Sequence, residues 1–419
     1  MNKRCFVPAD ILIPEGVDMT KWSVVACDQY TSEPEYWENV DKNVGDAPSA
    51  LRISLPEIYL GRDDTADRVS KINRTMEEYG PLFKEYKSSM IYVERTFKTG
   101  KVRRGIVGAV DLEEYDFSKD SVSLIRATEG TVLERIPPRV AVREKAPLEM
   151  PHIMILADDP GKTIIEPIAS KKDTFTCVYD FELMEDGGHI KGWLIPEKEI
   201  DTLTLAYEKL ADTDLFNKEH GTNCGSPLLF AMGDGNHSLA TAKTCYENLK
   251  KAVSAEEALA SPARFALCEL VNLHDDSLEF EAIHRVVFGT DAEKLVSEFK
   301  KYCKENPADN EAQSFIIYYG ENELSLTIEN PPFSLAAGTL QHFLDEYIKA
   351  NGGKIDYVHG DDVVKRLGSE KGNIGILLPA MPKSALFKSV AQDGVLPRKT
   401  FSMGEACEKR FYLECRKIK

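Results

Sequence analysis

A chain of 419 residues is long for one hydrophobic core, so two domains are expected, divided as 1–262 and 263–419. A formal net charge of −17 excludes a general surface for nucleic acid or anionic membrane, because phosphates would be repelled, while 42% hydrophobic residues is ordinary for a globular protein. The opening residues hold no apolar run long enough for a signal peptide or a membrane span, and nine scattered cysteines without a CxxC pair fit reduced thiols, so a cytoplasmic protein without a zinc ribbon is expected.

In chain order, Val24–Ala26 is a short apolar run ending at Cys27-Asp28-Gln29-Tyr30. Ser32 and Glu35 have capping-box spacing and Pro34 suits a first turn, which predicts a helix opening there. Asp28 and Glu33 then stand at the mouth of a strand end, where two carboxylates can serve as base and metal ligand. Acidic residues at that point also favour the helix dipole, which is the preferred reading for Glu35.

Residues 63–87 read as a helix with Ala66, Val69, Ile72 and Met76 on one face, interrupted at Gly80-Pro81. A hairpin follows, Met90–Phe97 and Val102–Leu112 about Thr99-Gly100, and a second spans Cys177–Ile195 about Asp186-Gly187-Gly188. Between them, residues 125–147 read as a loop carrying Arg126, Arg135, Arg139 and Arg143. Arginines there suit bidentate phosphate or carboxylate recognition, and equally a solvated loop paired with Glu134 and Glu144.

The stretch 226–253 is the most informative. Leu228–Met232 has the length of a buried strand, Gly233-Asp234-Gly235-Asn236 is a turn, and from His237 the apolar residues Leu239, Ala242, Tyr246 and Leu249 share one helical face. A strand, a glycine turn and a helix start offer unpartnered N–H groups to an anion, with Asp234, Asn236, His237 and Ser238 around that point. His237 beside a carboxylate adds acid–base capacity. The same residues also suit a purely structural turn.

From about Ala263 strands and helices alternate: Phe265–Leu273, Ala292–Asn306, the hairpin Phe315–Tyr319 and Leu324–Ile328, then Leu340–Lys349, Ile355–Val358, Val363–Leu367, Ile374–Leu378 and Ser384–Val390. Pro397 is followed by the polar turn Arg398-Lys399-Thr400.

The run Gly233-Asp234-Gly235-Asn236-His237-Ser238 resembles the Asp-Gly-His-His-Arg motif of the "domain of unknown function 1015" family, which includes the free-serine kinases. LEFEAIHRVV at 278–287, IDYVHGDDVV at 355–364 and LPRKTF at 396–401 extend the resemblance over nearly the whole chain. It implies an α/β (α+β) fold: a ParB/sulfiredoxin-like nucleotide-binding domain with large insertions, and a smaller C-terminal α/β domain that contributes the LPRKTF turn to the pocket. It also implies Mg2+ with ATP or ADP, and a small-molecule substrate.

Asp234 and His237 match the motif's Asp and second His, and Lys399 and Thr400 match a C-terminal Lys and Ser/Thr. The family's early acidic base is carried by Glu33, with Asp28 behind it. Gly233, Gly235, Asn236, Ser238, Arg126 and Arg139 are the expected nucleotide or substrate contacts. Two positions depart from the motif: Asn236 stands where a His is usual, and Ser238 where an Arg is. The expected function is a nucleotide-dependent small-molecule kinase, acting on free serine or a related hydroxy amino acid. A non-catalytic nucleotide-binding switch is the alternative, favoured by the missing arginine, and a scaffold with a structural turn is the third reading.

Overall fold

A computed structural model describes residues 5–419. The chain divides into two compact units, one running up to Leu278 and joined by Gly404–Lys419, the other Glu279–Met403. The strand Phe265–Asn272, expected to open the second domain, is a central strand of the first unit's sheet.

That sheet has ten strands and is mixed. Its order is Thr176–Leu183, Gly188–Leu194, Ile91–Thr96, Val102–Asp111, Phe265–Asn272, Met154–Ala157, Phe230–Asp234, Ile125–Arg126 and Tyr115–Asp116, with Phe6–Val7 added beside Val102–Asp111. Both hairpins form as the sequence predicts, and in the first of them alternating residues divide between two buried faces. Ile91, Val93, Val107 and Ala109 enter one core with Trp22 and Trp37. Tyr92, Ile106 and Val110 enter the other with Ile155, Phe230 and Met232.

Three local expectations change. The helix predicted over 63–87 is Thr65–Glu78, and Phe83–Ser89 is a strand paired antiparallel with Ala9–Pro14. Gly80-Pro81 ends the helical pattern, and a partner strand some seventy residues earlier, invisible to local periodicity, decides the rest. The Ser32/Glu35 capping box does not form, because Glu33 is the N-cap and Pro34 opens the helix Pro34–Val44. The arginine-bearing stretch is in part a helix, Ile136–Arg143, with proline in its first turn where no amide is missed.

The segment after Gly404 is woven into the first unit. Phe411–Tyr412 pairs with Val24–Val25, and Arg416–Lys417 pairs with Leu148–Glu149. Buried ion pairs reinforce it: Arg410 to Glu269 and to Glu414, and Arg416 Nε to Glu149 Oε1 at 2.7 Å.

The second unit is a five-stranded antiparallel sheet, ordered Asn322–Ile328, Gln313–Tyr319, Asn373–Leu377, His284–Phe288 and Lys354–Val358. Helices Ala292–Glu305 and Ala336–Asn351 share one core with it, and Val364 of helix Asp361–Gly368 lies in a second, smaller one. Phe401–Met403 pairs with Phe280–Ala282 in a separate two-stranded ribbon.

Candidate functional site

The strand Phe230–Asp234 runs into Gly235 and then into the helix Asn236–Ala252. Gly235 is the N-cap at φ 80°, and its side chain position is closed: a Cβ would lie 3.1 Å from Ile153 Cα. Positive φ and close backbone approach both demand glycine. The first intrahelical bond comes from Leu239 N–H to Gly235 O at 3.0 Å, so the amides before it have no acceptor within the helix. Among the described residues, Asn236 Oδ1 and His237 Nε2 are buried without a hydrogen-bond partner. A ligand or a water can meet both atoms, as buried polar groups require.

Charged groups surround this turn. Asp234 accepts the Gly235 N–H at 2.8 Å and pairs with Lys409 Nζ at 3.4 Å. His152, 3% exposed just before the strand Met154–Ala157, places Nε2 3.4 Å from Asp28 Oδ2 and 3.3 Å from Ser238 Oγ. Its Nδ1 lies 3.0 Å from Tyr412 Oη, which also accepts the Cys27 N–H at 3.2 Å. Gln29 Nε2 donates to the remaining oxygen of Asp28 at 3.0 Å.

Burial alone would favour neutral forms of His152 and Asp28, but their mutual attraction outweighs it. The His152 pKa is raised, with Asp234 and Glu57 adding to Asp28, and Asp28 is held well below the usual carboxylate range. His237 goes the other way: burial, then the Arg139 and Arg135 charges, lower it to about 4. The two histidines at one turn are therefore shifted in opposite directions, His152 towards its cation and His237 towards its neutral form.

A cavity of about 160 Å³ adjoins His152, Ser238 and Tyr412. Its walls are largely apolar, from Ile53, Leu55, Met76, Val142, Ala146 and Met150, and Arg139 and Glu57 line it as an ion pair.

The fold thus gathers Asp28, Asp234, His237, Ser238 and Arg139 in one neighbourhood. Glu33 is exposed at its helix start, without a side-chain capping bond. Arg126 is buried, donating to the carbonyls of Ser123 (2.7 Å), Ser226 (3.2 Å) and Pro227 (3.3 Å), and it pairs across from Ala231, towards the other end of the strand from Gly235. Lys399, at φ 58°, and Thr400, which donates to Pro397 O at 2.7 Å, belong to the second unit. Sequence reading missed His152, Tyr412, Lys409 and Glu57. A signal existed only for His152, a titratable residue directly before the apolar run Ile153–Ala157.

These features define a mixed α/β protein whose glycine turn and helix start are ringed by ionised side chains. The chain belongs to the family described as "Protein of unknown function (DUF1015)", whose model matches residues 12–347. A comparison with curated proteins found no match. Among solved structures the chain is similar to a free serine kinase mutant in complex with ADP, at 11% identity and a TM-score of 0.39, covering 77% of this chain and 95% of that one. A free serine kinase in complex with AMP gives 12% identity and a TM-score of 0.38, covering 77% and 95%. SbnI with a C-terminal truncation, from Staphylococcus aureus, gives 8% identity and a TM-score of 0.36, covering 73% and 87%.

Proposed function

We propose that the protein binds a nucleotide at the Gly235 turn and transfers a phosphoryl group to the hydroxyl of a small molecule. The observation that carries this reading is the helix start itself: amides without helical acceptors, a glycine whose positive φ sets the turn against Ile153, and two buried unmet polar atoms, Asn236 Oδ1 and His237 Nε2. Helix N-termini of this kind hold phosphate through N–H groups and the dipole. Family membership, with the serine kinases the motif resemblance brings in, supports a ParB/sulfiredoxin-like cradle for the first unit.

Phosphoryl transfer asks the protein for charge stabilisation and alignment more than for covalent chemistry. Lys409, 3.4 Å from Asp234, and His152, 3.3 Å from Ser238, are the basic groups that supply positive charge in place of the absent motif arginine. Among the described residues no cluster of three metal-ligating side chains exists. Magnesium needs fewer, since it keeps waters and takes phosphate oxygens, so Asp28 and Asp234 are the carboxylates available to it. Bound there, it would neutralise phosphate charge. Asp28, tied to His152 and held acidic, is a weak proton acceptor and acts as a positioning group. Asp234 and Glu57 are also paired, with Lys409 and Arg139, so the role of taking the hydroxyl proton is assigned to Glu33, exposed at the helix start after the same strand end.

Titration calorimetry with ATP and ADP, with and without magnesium, tests the first half of the reading. Mass analysis of a hydroxy amino-acid panel after incubation with each nucleotide tests the second. Binding without any phosphorylated product would leave a nucleotide-sensing regulator as the function.

A further inference from the structure

The cavity beside His152 is too small for a nucleotide. A dry cavity near 150 Å³ holds a molecule the size of benzene, whereas drug-sized ligands occupy about 300 Å³ or more. At about 160 Å³ it fits one compact body. The larger part of its wall is apolar, from Ile53, Leu55, Met76, Val142, Ala146 and Met150, with polar groups on the remainder, so that body carries an apolar portion and a polar end. A serine side chain would leave most of this surface without a partner.

The charged wall is equally specific. Arg139 and Glu57 pair with each other, with side chains 15% and 19% exposed. Arg143 and Glu149 also line the cavity, but Glu149 is already saturated: it accepts Arg143 at 2.5 Å, Arg416 at 2.7 Å and the Leu267 N–H at 2.9 Å. Arg139 donates Nη1 to Arg135 O at 2.7 Å and Nη2 to Glu57 Oε1, so its capacity for a ligand lies in the remaining N–H groups and in Glu57 Oε2. A planar guanidinium beside a carboxylate presents one fork for a carboxylate and one acceptor for an ammonium. That is the charge pattern of an amino-acid zwitterion.

We infer that this cavity is the acceptor subsite, and that it takes a free amino acid whose side chain is longer and more apolar than that of serine, its zwitterion read by Arg139 and Glu57. The acceptor role rests on the phosphotransfer reading above; the binding preference does not. Ser238 and His152, at the boundary between cavity and turn, then place the ligand's hydroxyl towards the phosphate cradle.

The experiment is calorimetric titration of the full chain with L-serine, L-threonine, L-norvaline and L-norleucine, each with and without ADP. Burying one methylene is worth about fourfold in affinity, so the constants should tighten by roughly that factor per added carbon until the cavity is full. Butan-1-ol and butylamine, which lack the zwitterion, should bind at least tenfold more weakly than norvaline. Filling the cavity with Ala146→Phe should abolish the trend; the series on the unmodified protein stands by itself if that variant does not fold. A flat series with ADP still bound overturns the inference and leaves the phosphotransfer reading intact. A rising series without ADP binding keeps the cavity assignment and overturns phosphotransfer. Equal binding of the alcohol or the amine also overturns the inference.

Discussion

Asp28 Oδ2 lies 3.4 Å from His152 Nε2, and this contact draws each of the two residues towards its charged form. Each residue alone would lean towards its neutral form on burial; their mutual attraction raises the His152 pKa and lowers that of Asp28. Replacing Asp28 by Asn removes the largest influence that raises His152. Burial then dominates, and the imidazole should titrate below 6.5 instead of above it. Proton NMR titration of the His152 ring checks this, and an unchanged midpoint would mean that Asp234 and Glu57 hold the cation without Asp28.

His237 gives a pH dependence of opposite origin. Its pKa falls to about 4 in the folded chain from 6.5 when unfolded, so between these values the unfolded state binds more protons. Its contribution to stability is complete above pH 6.5 and is lost as pH falls towards 4. Allowing for partial solvent exposure, the loss should be about 1–2 kcal/mol. Urea unfolding at pH 7 and pH 4.5 measures it, and His237→Gln should flatten the difference.

Gly235→Ala tests the cradle without touching a charged group. The new methyl would need φ 80° and would press on Ile153 Cα at 3.1 Å. Destabilisation of about 1–2 kcal/mol is expected, together with weakened ADP binding as the turn opens. Thermal melts with and without ADP separate the two effects.

Much of this turn was legible because its signals are local. The apolar run to Met232, the two glycines and the 3.6-residue period after His237 all act within one strand-turn-helix unit. Tyr412 and Lys409 were not legible, and His152 carried only the local signal of its place before an apolar run, since all three reach Asp28 and Asp234 through sheet pairing and the return of the C-terminal segment. Arg126 shows the converse failure. Its residue type fits a phosphate ligand, yet the fold uses it for loop carbonyls, and no local pattern distinguishes the two.

The C-terminal segment should be a stability element as well as a site element. Arg410, 4% exposed, is the buried cation between Glu269 and Glu414, 1% exposed each. Arg410→Met would leave both carboxylates without that partner in the interior. A loss of about 3–5 kcal/mol is expected, read by chemical denaturation. A smaller loss would mean that Arg103, 3.5 Å from Glu269, takes over.

Glu33, proposed as the base, is exposed at its helix start. Asp28 lies nearer the turn, but a carboxylate held by His152 gains little from accepting a proton. Glu33 follows the same strand end, sits at the start of helix Pro34–Val44 and makes no capping bond, so its side chain is not committed to the backbone. Glu33→Gln keeps size and hydrogen bonding while removing basicity. Nucleotide binding should therefore persist, and turnover should fall by about 100-fold, the usual scale of general-base loss. Asp234→Asn should instead weaken both, because its carboxylate orders the Gly235 amide and Lys409 beside the phosphate position. Paired calorimetry and single-turnover assays on the two variants distinguish these outcomes. Full turnover in Glu33→Gln would transfer the role to Asp28, and the His152 pair would then have to open during the reaction, which a pH–rate profile with an acidic limb set by Asp28 would report.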